Sequence, residues 1–163
     1  LRVSSARLLA RFNRKPALAD APAAAELCFL AARIGATEAI PPLTDLAERE
    51  ARRPTALPGG LTLYKRALQG LGGLLVDDPD PFKDERLLNV FEKGLGAPGC
   101  ELICLTVLIA VWNDVEGQKF YAKLPAGYHL DEEALQTRLR IAGLGKNVAK
   151  AYAAHKTHGA GAD

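Results

Sequence analysis

The chain has few residues that favour β-strands, and it lacks methionine, the residue with which translation starts. It has no methionine, one tryptophan and only 6% aromatic residues in 163. A chain without methionine has no native start, so we expect residues 1–163 to be one domain or fragment of a longer polypeptide. Runs of β-branched residues are also scarce, which disfavours sheets. Ala, Leu and Gly dominate instead, and this composition predicts an all-α fold.

Strong charge and cysteine patterns are missing as well. The formal net charge is only +2, so the whole-molecule charge points to no class of partner. The three cysteines are an odd number without framework spacing, which is typical of a reducing compartment, and we expect a cytoplasmic protein. The longest apolar run, residues 102–112, is too short to cross a bilayer.

Signatures of catalysis are absent from the sequence. It contains no nucleophile elbow, phosphate-binding glycine loop or zincin motif. Cys100 and Cys104 share one side of an apolar helix, but no further ligand lies nearby in sequence, so we interpret them as core residues. His155 and His158 stand near the carboxyl end and His129 in a loop. We therefore expect no enzyme, no metal site and no cofactor.

Apolar residues recur at helical spacing in segments separated by Pro and Gly. The pattern predicts helices over residues 1–12, 21–34, 41–52, 61–76, 81–93, 100–112, 114–123, 131–142 and 146–155. Residues 53–60 are predicted as a loop. Predicted helix caps are Asp20, Thr37, Asp80 and Asp131. Leu27, Leu30, Ala31 and Ile34 are predicted to face the core. Glycines at 70, 72 and 73 are predicted to let a neighbouring helix pack closely.

The helix pattern repeats. Ala31, Leu68, Leu105 and Ala142 stand 37 residues apart, and Leu30, Ala67 and Cys104 follow the same step. Linkers between the paired helices vary in length, whereas the small and aliphatic positions persist. A repeat of two helices every ~35–45 residues is typical of an α-solenoid, in which antiparallel helix pairs stack side by side.

One segment resembles a known family. Residues 30–46, LAARIGATEAIPPLTDL, resemble a HEAT repeat of the short bacterial kind, the phycobilisome-lyase-like HEAT class. The resemblance rests on Ile34–Gly35, on Glu38, on Ala39–Pro41 and on Leu43, whereas Ala36 stands where the family often has Asp. It implies a curved stack of helix pairs that holds other proteins, and it implies no lyase activity.

The second helix of each pair lines the concave surface of such a stack, and side chains outside its core stripe are candidates for binding a protein partner. The alternative is that these side chains only keep the surface solvated. The candidates are Asp45, Glu48, Arg49, Arg52, Arg86, Asn89, Glu92 and Lys93.

Two other functions compete with protein binding. Nucleic-acid binding would follow if the basic residues lined one groove, although interspersed acids argue against it. These residues are Arg2, Arg7, Arg11, Arg14, Lys15, Arg52, Arg53, Lys65 and Arg66. A glycosylase-like enzyme would use Trp112 and Asp114, since some HEAT-like DNA glycosylases use Trp and Asp on a concave basic surface.

Overall fold

The computed structural model describes residue 7 and residues 21–75, 84–112 and 118–141, without the side chains of 110–112, 118–119 and 139–141. The predicted helix over 146–155, the predicted helix over 1–12 apart from residue 7, and the predicted caps Asp20 and Asp80 lie outside these residues. So do His155, His158 and Asp114.

The described chain is mostly helical, as the composition predicted. Its helices are α1 (Ala21–Arg33), α2 (Ile40–Arg52), α3 (Leu63–Leu75), α4 (Glu85–Gly94), α5 (Glu101–Trp112), α6 (Gln118–Tyr121) and α7 (Glu132–Ile141). Short 3-10 turns cover Thr37–Ala39 and Pro58–Gly60, and two strands, β1 (Ala56–Leu57) and β2 (Leu61–Thr62), pair antiparallel.

One predicted cap, Thr37, and one predicted helix start, Pro81, are wrong, whereas the predicted cap Asp131 is confirmed. Thr37 begins a 3-10 turn, and α2 starts at Ile40 with no side-chain cap, because its two prolines need no N–H partner in the first turn. Helix α4 starts at Glu85 rather than Pro81, since the Asp84 carboxylate accepts a 2.9 Å hydrogen bond from the Arg86 N–H. The Asp131 carboxylate accepts a 2.9 Å hydrogen bond from the Ala134 N–H and caps α7 as predicted.

The predicted loop between α2 and α3 contains a small hairpin. Ala56 pairs with Thr62 and Leu57 with Leu61, while Gly59 and Gly60 close the turn with positive φ angles of 79° and 74°. The sheet is two residues long on each side, too short to have an alternating sequence pattern.

A buried carboxylate ties this hairpin to the end of α2. Glu50 is only 3% exposed and accepts two hydrogen bonds from Thr55, 2.7 Å from its N–H and 3.1 Å from its hydroxyl. The Thr55 carbonyl oxygen in turn accepts a 2.9 Å hydrogen bond from the Leu63 N–H at the start of α3. These bonds satisfy a carboxylate that would otherwise be costly to bury, and they fix the angle at which α3 leaves α2.

The two most extensive helix contacts are those of α3 with α1 and of α3 with α2. Smaller contacts join α3 to α5, α2 to α4 and α5 to α7. Helix α4 also packs on α5. Helix α3 is therefore the centre of the described core, with neighbours on several sides.

Glycines in α3 bring its neighbours close. A Cβ atom on Gly70 would lie 2.8 Å from the carbonyl oxygen of Cys28 in α1, and one on Gly73 would lie 2.9 Å from the Cβ of Ala32. On the side toward α5, a Cβ on Gly72 would lie 2.8 Å from a Val107 methyl carbon. The close packing predicted for these glycines is confirmed, and both neighbouring helices depend on it.

This close approach decides which face of α1 is buried. The side toward α3 consists of small residues, with Ala24, Cys28 and Ala31 at most 1% exposed. Leu30 is 38% exposed, so its predicted place in the core is wrong, and Phe29 beside it is 51% exposed. The glycine-lined surface of α3 has no room for a leucine at that contact, and the bulkier face turns outward. The Arg33 guanidinium lies 5.7 Å above the Phe29 ring.

Helix α5 is buried on almost every described side, as its uniformly apolar sequence predicted. Ile103, Cys104, Leu105, Leu108 and Ile109 are all at most 6% exposed. Cys28 and Cys100 are buried too, which confirms the interpretation of the cysteines as core residues. In the parts of the chain that the structure describes, no helix is both long and apolar enough to cross a membrane.

The Gly70 contact has a measurable consequence for stability. Alanine favours a helix over glycine by ~1 kcal/mol, so Gly70→Ala would be stabilising if space were available. Because the new methyl group would meet the backbone of Cys28, we expect an overpacking cost of about 1–3 kcal/mol and a net loss of stability in urea unfolding.

Gly96→Ala is the control for this substitution. A Cβ there would lie 3.7 Å from its nearest neighbour, an ordinary contact, so we expect no loss of stability. A Gly70→Ala variant at least as stable as the wild type would contradict the close packing of α1 on α3.

Candidate functional site

The eight predicted binding residues lie in α2 and α4, and we call the surface that they form the α2–α4 face, in which the Nε and Nη2 atoms of Arg49 are buried. In α2 the opposite side is core, where Leu43, Leu46 and Ala47 are at most 1% exposed. In α4 the core side holds Leu87, Val90 and Phe91. Because both helices have one apolar stripe, most of their polar residues lie on the other side, with Thr44 and Glu50 of α2 as buried exceptions.

Arg86 joins the two helices of this face. Its Nη2 donates to Asp45 Oδ1 at 2.6 Å and to Glu48 Oε2 at 2.8 Å, and its Nε donates to Glu48 Oε1 at 3.2 Å. The bidentate contact with Glu48 matches the planar fork of the guanidinium. Three residues that the sequence predicted separately, from helices about 40 positions apart, thus form one cluster.

The cluster is exposed, which limits its contribution to stability. The side chains of Arg86, Asp45 and Glu48 are 54%, 53% and 37% exposed. The Arg86 hydrogen bond lowers the pKa of Glu48 below its ordinary value, with smaller effects from the charges of Lys93 and Arg52. The two carboxylates raise the pKa of Arg86. Exposed pairs of this kind stabilise a fold by less than ~1 kcal/mol, so the cluster mainly orients α2 relative to α4.

The remaining candidates lie around this cluster. Asn89, Arg52 and Lys93 are exposed, and Arg49 is half-buried. Glu92 is bonded to Lys123, whose Nζ lies 2.6 Å from Glu92 Oε1. Lys123 follows α6 and was missed in the sequence, because helical spacing within α4 carries no information about which later segment approaches it.

Buried groups elsewhere offer little chemistry. Burial raises the pKa of Cys28 to about 12 and raises the pKa of Cys100 and of Cys104, so the reactive thiolate is disfavoured at all three. Within the described ranges, no group of three or more His, Cys, Asp or Glu residues is placed to hold a metal ion.

The basic residues of the nucleic-acid hypothesis are only partly described. Arg52 and Arg53 are exposed at the end of α2, and Lys65 and Arg66 follow the hairpin in the first turn of α3, where both are half-buried. Arg66 donates to Gln69 Oε1 at 3.0 Å. Arg2, Arg11, Arg14 and Lys15 lie outside the described residues, so the continuous basic groove stays a prediction. Of the glycosylase pair, Asp114 also lies outside them, as does the Trp112 side chain.

The Glu48–Arg86 contact predicts a pH-dependent contribution to stability. Because the folded state lowers the pKa of Glu48, the contact stabilises the protein above the unfolded value of ~4.3. The contribution is lost as the pH falls through the lower folded pKa. We expect Glu48→Gln to reduce the free energy of unfolding at pH 7 by less than ~1 kcal/mol. At a pH low enough to protonate Glu48 in the wild type, we expect the two proteins to be equally stable.

Paired urea titrations of both proteins across this range measure the difference. Glu38→Gln is a matched control, since Glu38 is exposed and makes no ion pair within the described part of the chain. A Glu48→Gln deficit that persists unchanged in acid would show that the ion pair is not its source.

No family model, curated protein or solved structure matches the chain. The resemblance of residues 30–46 to a HEAT repeat therefore stays a prediction, supported by the residues themselves.

Proposed function

We propose that the chain is a HEAT-like α-solenoid that binds a protein partner through the α2–α4 face. In such a stack the first helices of successive pairs form one layer and the second helices form another. The second layer would be the concave side, with α2 and α4 as its described members.

The order of helix contacts is the single observation that carries this proposal. The most extensive contacts, α1 with α3 and α2 with α3, join one helix pair to the next. Smaller contacts of α3 with α5 and of α2 with α4 continue this order, which supports stacking of pairs in sequence. The repeat supports the same alignment: Ala31, Leu68 and Leu105, which stand 37 residues apart, are each 0% exposed in α1, α3 and α5.

The chemistry of the α2–α4 face favours binding over catalysis. The face combines exposed carboxylates, guanidinium groups and an amide, with a rigid backbone beneath them because both helices are anchored in the core. The thiols of the described residues are buried with raised pKa values, and the carboxylates of the exposed Arg86 cluster are held by its guanidinium. Polar groups on rigid helices are suited to recognising another surface.

A photo-crosslinking residue at Asn89 tests the location of the binding surface. We expect irradiation in a lysate of the cells that produce the protein to give a defined protein adduct from this position. The same residue at Glu26, an exposed site on the outward side of α1, is the control and should not give that adduct.

Two results would reject the proposal. Equal adducts from Asn89 and Glu26 would show that the α2–α4 face is not selective, and no adduct from Asn89 would show that it is not used. Adducts that disappear on nuclease treatment would instead favour the nucleic-acid alternative.

A further inference from the structure

The charges of the α2–α4 face are unevenly matched. Its eight residues contain four bases and three acids. Asp45 and Glu48 share Arg86, and Glu92 pairs with Lys123. Among the residues that the structure describes, Arg52 and Lys93 form no ion pair, although both side chains are exposed.

Arg52 and Lys93 belong to different helices but act on the same carboxylate. Arg52 lies about one helical turn after Glu48 on α2, and Lys93 lies about two turns after Arg86 on α4, so both cations stand near the Arg86 cluster. Both lower the pKa of Glu48. Glu48 is already bonded twice by Arg86, so it leaves much of the charge of Arg52 and Lys93 uncompensated. Two exposed cations beside a saturated acidic cluster form a site for a further anionic group.

We propose that the partner docks an acidic peptide segment on this face, with its carboxylates paired to Arg52 on α2 and Lys93 on α4. This inference rests on the proposed function, since it specifies the chemistry of the partner at the same surface. A carboxylate side chain suits both sites, because it accepts hydrogen bonds from a guanidinium in a fork and from an ammonium as a point charge. Asn89, exposed in α4, offers an amide to the backbone of such a segment.

The same face disfavours the other charged occupants. A basic segment would meet the uncompensated charges of Arg52 and Lys93. A nucleic acid presents a continuous row of phosphates, and that row would also run against Asp45 and Glu48, and against Asp84 and Glu85 at the start of α4, which are exposed. A short acidic segment can place its carboxylates beside Arg52 and Lys93 and can place neutral residues beside the acidic side chains of the face.

Fluorescence anisotropy with defined probes tests the proposal. The probes are a labelled peptide of alternating Glu and Ala, its Gln–Ala counterpart and a short DNA duplex, each titrated with the full chain. We expect the Glu peptide to bind more tightly than the Gln peptide, and its affinity to fall as salt screens the exposed charges. We expect Arg52→Gln with Lys93→Gln to weaken Glu-peptide binding by about fivefold, the scale of two exposed ion pairs.

A matched double variant controls for net charge. Arg33→Gln with Arg138→Gln also removes two exposed cations, but from α1 and α7, so it should leave Glu-peptide binding unchanged. The proposal is overturned if the Glu and Gln peptides bind alike, if both double variants weaken binding equally, or if the duplex binds more tightly through Arg52 and Lys93. Failure of the peptide together with a selective Asn89 adduct would reject the acidic segment and leave the proposed binding face intact.

Discussion

The close contact between α1 and α3 is the constraint on which the rest of the described core depends. Gly70 and Gly73 let the backbone of α1 approach until the Cys28 carbonyl and the Ala32 side chain occupy the space of missing Cβ atoms. On the side toward α5, a Val107 methyl group occupies the space of the missing Cβ atom of Gly72. Helix α3 thereby gains packing surface that larger residues would have blocked, at the expense of helix propensity.

The proposed function rests on the surface that this core leaves outside. Helix α3 packs against α1, α2 and α5, while α2 and α4 each turn one apolar stripe toward the core and keep the other side mostly polar. Arg86 orients one helix against the other, and the buried Glu50 fixes the exit from α2 toward α3. The proposed binding face is therefore anchored to the core without being part of it.

The sequence predicted the helices better than their surroundings. Periodicity identified α1, α2 and α3 from their apolar stripes, and the uniformly apolar run identified α5, but no sequence pattern indicated the hairpin, whose paired strands are too short to have a period. Periodicity placed Leu30 in the core because helical spacing shows which residues share one face of a helix. Spacing does not show which neighbouring helix packs against that face. For the face, spacing selected Asp45, Glu48 and Arg86 as outward residues. It gave no means of predicting that they meet, since that depends on the register between helices.

The stacking of α1, α3 and α5 is the central claim, and proton NOEs across α3 test it most directly. The account predicts cross-peaks from the Gly73 Hα protons to the Ala32 methyl group and from the Gly72 Hα protons to the Val107 methyl groups, since both gaps are free of intervening side chains. Missing glycine cross-peaks, together with many cross-peaks running directly from α1 methyl groups to α5 methyl groups, would contradict it, because α1 and α5 would then be direct neighbours in a closed bundle.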